Sequence, residues 1–216
     1  MENIHHIVSL FLHLDQALQG VISEYGIWTY ALLSSVIFLE NGFVLFPFLP
    51  GDSLIFTAAT FASDPQYNLN IWTLFFLLTA AAILGDIVNY AIGSYIGHRA
   101  YDLKWVNRKH LEKTHEFFEK HGGRTIFLAR FVPIIRTFAP FVAGVAGMSY
   151  RHFFLYNVLG GVTCVSLFSF LGYNFGKMEI VQKHFKATIF LIIFLSALPL
   201  FWEWWKAYRQ RKIIVK

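Results

Sequence analysis

The chain has 216 residues, of which 56% are hydrophobic and 19% aromatic, while only 14% are charged. Soluble domains carry about 25% charged residues, which argues against an ordinary cytosolic enzyme. A disordered chain is excluded, because it does not hold this much Phe, Leu and Ile. The net charge of +5 is unevenly spread: residues 1–98 contain no Lys or Arg, and all 18 lie in 99–216. These basic residues sit mostly between apolar runs, where they act as topology signals of an integral membrane protein rather than as a nucleic-acid footprint. The single cysteine, Cys164, allows no intramolecular disulfide and no cysteine-based metal site. Lying in an apolar run, it is expected to behave as a small buried hydrophobe. The start of the chain lacks the basic region of a signal peptide.

In chain order, residues 4–23 place Ile7, Val8, Leu10, Phe11, Leu14 and Leu18 opposite Asp15, Gln16 and Gln19. That periodicity predicts an amphipathic helix lying in the membrane interface. Residues 27–63 are strongly apolar but broken by Glu40-Asn41-Gly42 and by Phe46-Pro47-Phe48-Leu49-Pro50-Gly51-Asp52. Each helical arm would be about 15–18 Å long at 1.5 Å per residue, half of a roughly 30 Å hydrocarbon core. A re-entrant hairpin follows, with Asp52 well placed to N-cap the arm from Ser53. Ser63–Asn68 reads as a polar turn, and residues 69–97 are long enough to span the bilayer, with Asp86 and Asn89 embedded in them.

Residues 98–124 carry seven Lys and Arg and predict a cytoplasmic amphipathic helix ending at Gly122-Gly123, a glycine stop. The run from His115 to His121 lacks the four-residue histidine spacing of a zinc-hydrolase helix. Residues 125–150 repeat the broken apolar pattern, interrupted by Arg130, Pro133, Arg136 and Pro140, and predict a second re-entrant hairpin. Spans follow at 153–176 and 188–205, and 206–216 is a basic tail beside the interfacial anchor Trp202, Trp204 and Trp205. With 98–124 and the tail inside, 13 basic residues are cytoplasmic, three lysines are external and two arginines are intramembrane. The two hairpins then enter from opposite faces. The expected fold is therefore an all-α integral membrane protein, an inverted repeat of re-entrant hairpin plus transmembrane helix, with an N-terminal interfacial helix and an extra C-terminal span. The pairs Gly93/Gly97 and Gly172/Gly176 recur in corresponding positions of the two halves.

The hairpins carry four ionisable residues: Glu40 and Asp52 on the first, Arg130 and Arg136 on the second. Each costs about 2.5–3.5 kcal/mol at bilayer centre, so each needs a partner or a function. Two guanidiniums suit a phosphate or carboxylate ligand, and a half-helix starting near Thr137 would add backbone donors. Glu40 and Asp52 would handle protons or ions, since a carboxylate taken out of water accepts a proton more readily. Asp86 and Asn89 share one face of their span and either hydrogen-bond between helices or line the site. No nucleophile–base pair or metal-ligand cluster occurs at membrane depth, which points away from an enzyme and implies no cofactor and no metal.

Three stretches resemble the bacterial DedA family: Phe46-x-Phe48-Leu49-Pro50-Gly51-Asp52-Ser53-Leu54, then Gly85-Asp86-x-x-Asn89-Tyr90-x-x-Gly93, then His121-Gly122-Gly123 through Ala129-Arg130-Phe131-Val132-Pro133-x-x-Arg136-Thr137-Phe138-Ala139-Pro140 to Ala143-Gly144. Met148-Ser149-Tyr150-Arg151-x-Phe153 and Asn157 also fit, and the likeness covers about residues 10–200. The sequence departs from the family pattern at Thr163-Cys164, where many relatives carry an aromatic residue. The resemblance implies two re-entrant hairpins in inverted repeats, a relationship to eukaryotic VTT lipid scramblases, and a bacterial inner-membrane location. It further implies lipid transport, of undecaprenyl phosphate or phosphatidylethanolamine, that depends on the proton gradient and on residues corresponding to Glu40, Asp52, Arg130 and Arg136. The expected partners are the bilayer, a phospholipid or polyprenyl-phosphate lipid, protons or sodium ions, and further copies of the chain; nucleic acid is not among them. Rival readings are a proton- or sodium-coupled exporter of small cations and an envelope-assembly factor.

Overall fold

The computed structural model describes residues 14–43, 51–100, 118, 122–176 and 178, which are helical apart from short turns. The helices are α1 (Leu14–Tyr25), α2 (Trp28–Gly42), α3 (Gly51–Ala62), α4 (Ile71–Ala100), α5 (122–129), α6 (Pro133–Val145) and α7 (Tyr150–Phe175). Several expected features lie outside the described residues: 4–13 of the interfacial helix, the hairpin tip at 44–50, most of the amphipathic segment 98–124, the span 188–205 and the tail 206–216.

Helices α4 and α7 are long and apolar enough to cross a membrane, with mean hydropathy reaching 2.1 and 1.7. Local chemistry sets the start of α4. Asn70 Oδ1 accepts from the backbone N–H groups of Trp72 (2.9 Å) and Thr73 (3.1 Å), satisfying donors that a helix leaves free at its first turn. Ahead of it, the expected polar turn forms a short 3-10 segment, Pro65–Tyr67, capped by Asp64, whose Oδ1 accepts from the Gln66 N–H at 3.1 Å. Gly147, at φ 70°, ends α6 by closing the Met148 N–H onto the Ala143 carbonyl at 3.0 Å.

Three boundaries differ from those expected. Gly122 and Gly123 are helical and open the described part of α5. Their role is close approach, because a Cβ on Gly123 would overlap the Tyr156 ring of α7 and one on Gly122 would press on Met148. The second broken segment opens at 130–132, and Pro140 lies within an uninterrupted α6. Pro133, at the first turn of α6, presets the helical φ at no cost in hydrogen bonds, whereas Pro140 removes the N–H that the Arg136 carbonyl would otherwise accept. Helix α7 begins at Tyr150, three residues early, with Arg151 exposed in its first turn.

Helix α4 is central: α2 and α6 pack against it, while α3 and α5 pack against α7. In hydrocarbon, helices associate through close packing of small residues rather than by escaping water, and glycines mark the contacts. Gly42 of α2 meets Gly85 of α4. Gly93 and Gly97 of α4 receive the backbone of Phe141 and Val145 of α6. Gly172 of α7 and Gly176, which caps its end, receive Phe56 and Thr60 of α3, and the Thr60 hydroxyl donates to the Gly172 carbonyl at 3.1 Å. Each glycine pair thus seats the second arm of the broken segment from the other half of the chain.

The interior is layered along α4. One apolar cluster gathers Leu74, Leu78, Ala81 and Ala82 with Leu33, Ile37, Ile55 and Phe168. A second gathers Tyr90 with Ile126, Ala139, Ala143 and Phe153. Between them, at the middle of the Ile71–Gly97 span, lie the buried polar residues Asp86 and Asn89. Leu18 and Ile22 anchor α1 on the first cluster.

Candidate functional site

Arg136 stands in the first turns of α6 and joins both arms of the first broken segment. Its Nη2 donates to Glu40 Oε1, at the end of α2, and its Nη1 to Asp52 Oδ1, at the start of α3. All three side chains are buried, Glu40 at 3% exposure and Asp52 and Arg136 at 8%. The contact needs a glycine at 51, because a Cβ there would overlap Glu40 Oε2 and crowd Arg136 Nη2 at 2.8 Å. Cys164 of α7 closes the other side, its Sγ 4.0 Å from Asp52 Oδ1. This thiol is buried, as its apolar surroundings in sequence predict.

Arg130, at the break between α5 and α6, is held by the two spans instead. Its Nη2 donates to Asp86 Oδ2 on α4 and to Asn157 Oδ1 on α7. Asn157 in turn donates from Nδ2 to the Ile83 carbonyl at 3.2 Å, so it also ties α7 to α4. Gly160 and Gly161 form the slot for the guanidinium: a Cβ on Gly160 would stand 2.7 Å from Arg130 Cδ. Asn89, with no exposed surface, donates from Nδ2 to the backbone carbonyls of Asn41 (2.9 Å) and Thr137 (2.7 Å).

The sequence-predicted residues therefore share one buried layer but pair differently from the simplest expectation. Glu40, Asp52 and Arg136 come together; Arg130 faces Asp86, not the acids of the first broken segment. Asp86 is an ion-pair partner, and Asn89 is a hydrogen-bond bridge between elements. Two expectations are corrected. Asp52 lies inside the first turn of α3 and gives its carboxylate to Arg136 rather than capping the helix from outside. Helix α6 starts at Pro133, one turn before Thr137, and the Arg136 N–H is already spent on the Val132 carbonyl at 2.9 Å. The free backbone donors thus lie nearer Pro133 than supposed. Asn157 enters the site although only the family likeness had marked it; a lone amide buried in an apolar span was the available signal.

Three buried carboxylates, Glu40, Asp52 and Asp86, face two buried guanidiniums, so the fully ionised layer carries one surplus negative charge. Asp86 Oδ1, Arg130 Nε and Arg136 Nε have no hydrogen-bond partner among the described residues, which leaves the layer capacity for further ligation. No group of three or more His, Cys, Asp or Glu poised to hold a metal occurs among the described residues. Chemically, Arg136 is a planar fork of donors shaped for a carboxylate or a phosphate, and two resident carboxylates occupy it here. Any competing anion has to displace one of them.

The VTT domain family matches residues 49–174, which contain every site residue except Glu40. Protein DedA of Escherichia coli is 49% identical over 202 residues, covering 92% of this chain and 92% of that protein. An uncharacterized membrane protein of Mycobacterium tuberculosis is 38% identical over 180 residues, 82% of this chain and 79% of that protein. The inner membrane protein YqjA of Escherichia coli is 30% identical over 193 residues, 84% of this chain and 87% of that protein. No solved structure matches the chain. With its domain, its apolar helices and relatives named as membrane proteins all in agreement, the chain belongs to the DedA family of membrane proteins.

Proposed function

We propose that this protein moves a phosphate-bearing lipid, undecaprenyl phosphate in the favoured case, across the bacterial inner membrane. The observation that carries the reading is the buried Arg136 fork gripped by Glu40 and Asp52 at mid-span depth. A lipid phosphate offers the same donor-accepting oxygens as those carboxylates. A proton on Glu40 or Asp52 weakens its hold on Arg136, and the phosphate takes its place; release of the phosphate returns the arginine to the acids and the proton to water. Exchange of this kind links lipid movement to the proton gradient. Arg130, balanced by Asp86, acts as the second cationic contact for the same headgroup.

The architecture fits this cycle when 27–63 and 125–150 are read as re-entrant hairpins of opposite orientation. Each then lays its second arm on the glycine pair of the opposite span, as an inverted repeat requires. The described ends of α2 and α3 and the break at 130–132 border the charged layer.

The test uses the purified full chain in liposomes carrying undecaprenyl phosphate or headgroup-labelled phosphatidylethanolamine, with lipid appearance in the opposite leaflet as readout. Arg136→Ala is expected to lower the rate at least tenfold. An unchanged rate overturns the proposal, and the lipid that moves faster identifies the preferred headgroup.

One observation favours a second reading. The surplus negative charge suits a proton- or sodium-coupled exporter of small cations, with Glu40, Asp52 and Asp86 as the binding groups. In that case Glu40→Gln abolishes cation flux, while Arg136 variants that still fold retain cation affinity and no lipid moves.

A further inference from the structure

Glu40 and Arg136 approach each other from helices that do not follow one another in the chain, and something must set their register. Asn41 follows Glu40, and Thr137 follows Arg136. The Asn89 side chain donates to the backbone carbonyls of both, at 2.9 and 2.7 Å. The Asn41 carbonyl belongs to the last turn of α2, where helix carbonyls lack intrahelical donors. Asn89 therefore supplies a bond that the helix cannot make for itself. Its neighbour one turn away, Asp86, holds Arg130, so a single turn of α4 grips both broken segments.

We infer that Asn89 is the positioning residue of the charged layer: its one amide, bonded to the backbone beside Glu40 and beside Arg136, sets the register in which the two hairpins engage. Backbone acceptors suit this task. They fix the helix ends and leave the acid and arginine side chains able to exchange partners. Asn89 Oδ1 and the Thr137 hydroxyl have no partner among the described residues. The bridge is therefore made by Nδ2 alone, and it can be released without breaking a closed network. Nothing in this role requires Asn89 to touch the transported molecule. The inference deepens the proposed function and rests on it for its consequence, but the register itself is measurable without transport.

The experiment places nitroxide labels at Leu39→Cys and Phe138→Cys, both exposed positions beside the bonded segments, in a Cys164→Ser background. Pulsed electron resonance on the full chain in lipid nanodiscs reads the distance between them. The parent is expected to give one narrow distribution. Asn89→Ala is expected to broaden or shift it and to lower lipid translocation about tenfold, the order expected for the loss of two buried bonds. Asn89→Ser, which keeps one donor, should fall between and serves as the decisive variant if Asn89→Ala does not fold. Thr60→Ala removes a cross-helix bond outside the layer and should leave the distribution as in the parent. Distances unchanged in the Asn89 variants, or changed equally by Thr60→Ala, overturn the inference. A shift specific to Asn89 in a protein that moves no lipid retains the positioning role and overturns the proposed function instead.

Discussion

Arg136 holds carboxylates from both arms of one broken segment, so its removal strands two buried acids. Breaking a buried pair by deleting one partner costs about 3–5 kcal/mol, whereas replacing all members with hydrophobic residues of similar volume costs little. Arg136→Ala is accordingly expected to lower stability by about that amount in a denaturant titration of the detergent-solubilised protein. The triple variant Glu40→Met, Asp52→Leu, Arg136→Met should recover most of the stability and none of the lipid movement. Recovery of both would mean that the cluster only balances charge. Arg130 obeys a different logic, because Asp86→Asn leaves it the Asn157 contact but removes its counter-charge. That variant should perturb the α4–α7 contact and leave the Glu40–Arg136 pairing in place.

Among the elements, glycine contacts separate positions that look alike in sequence. Gly42 and Gly85 face each other, yet a Cβ on Gly42 would find its nearest atom at 3.6 Å, while one on Gly85 would meet the Phe38 carbonyl oxygen at 2.8 Å. Gly85→Ala is expected to destabilise by about 1–3 kcal/mol, as overpacking does, and Gly42→Ala to be nearly neutral. Gly93→Ala, set against the Phe141 backbone, belongs with Gly85. Equal unfolding midpoints for the Gly42 and Gly85 variants would contradict this packing. Helix identity and the charged layer were legible in sequence because apolar length and buried charge are local signals. The pairing was not, since which acid meets which arginine depends on how α4 and α7 cross. The Gly122-Gly123 pair shows the same limit: glycine marks a stop or a close approach, and only the presence of Tyr156 decides between them.

For the whole molecule, two apolar clusters enclose a charged layer whose members come from α2, α3, α4, α6, α7 and the α5–α6 break. The only cysteine of the chain reports on that layer, being buried beside Asp52. Cys164 should alkylate slowly in the resting protein and at least tenfold faster in Glu40→Gln, as followed by mass spectrometry with N-ethylmaleimide, if loss of one Arg136 partner loosens the layer. Equal rates would mean that the layer stays closed without Glu40. The proposed cycle requires a lipid phosphate and the resident carboxylates to compete for Arg136. Infrared difference spectroscopy of the reconstituted protein, on addition of undecaprenyl phosphate, tests it most directly. A new protonated-carboxyl band is expected with the phosphate lipid, lost in Glu40→Gln/Asp52→Asn and absent with diacylglycerol. Binding of the phosphate lipid without that band, or the same band with diacylglycerol, would contradict it.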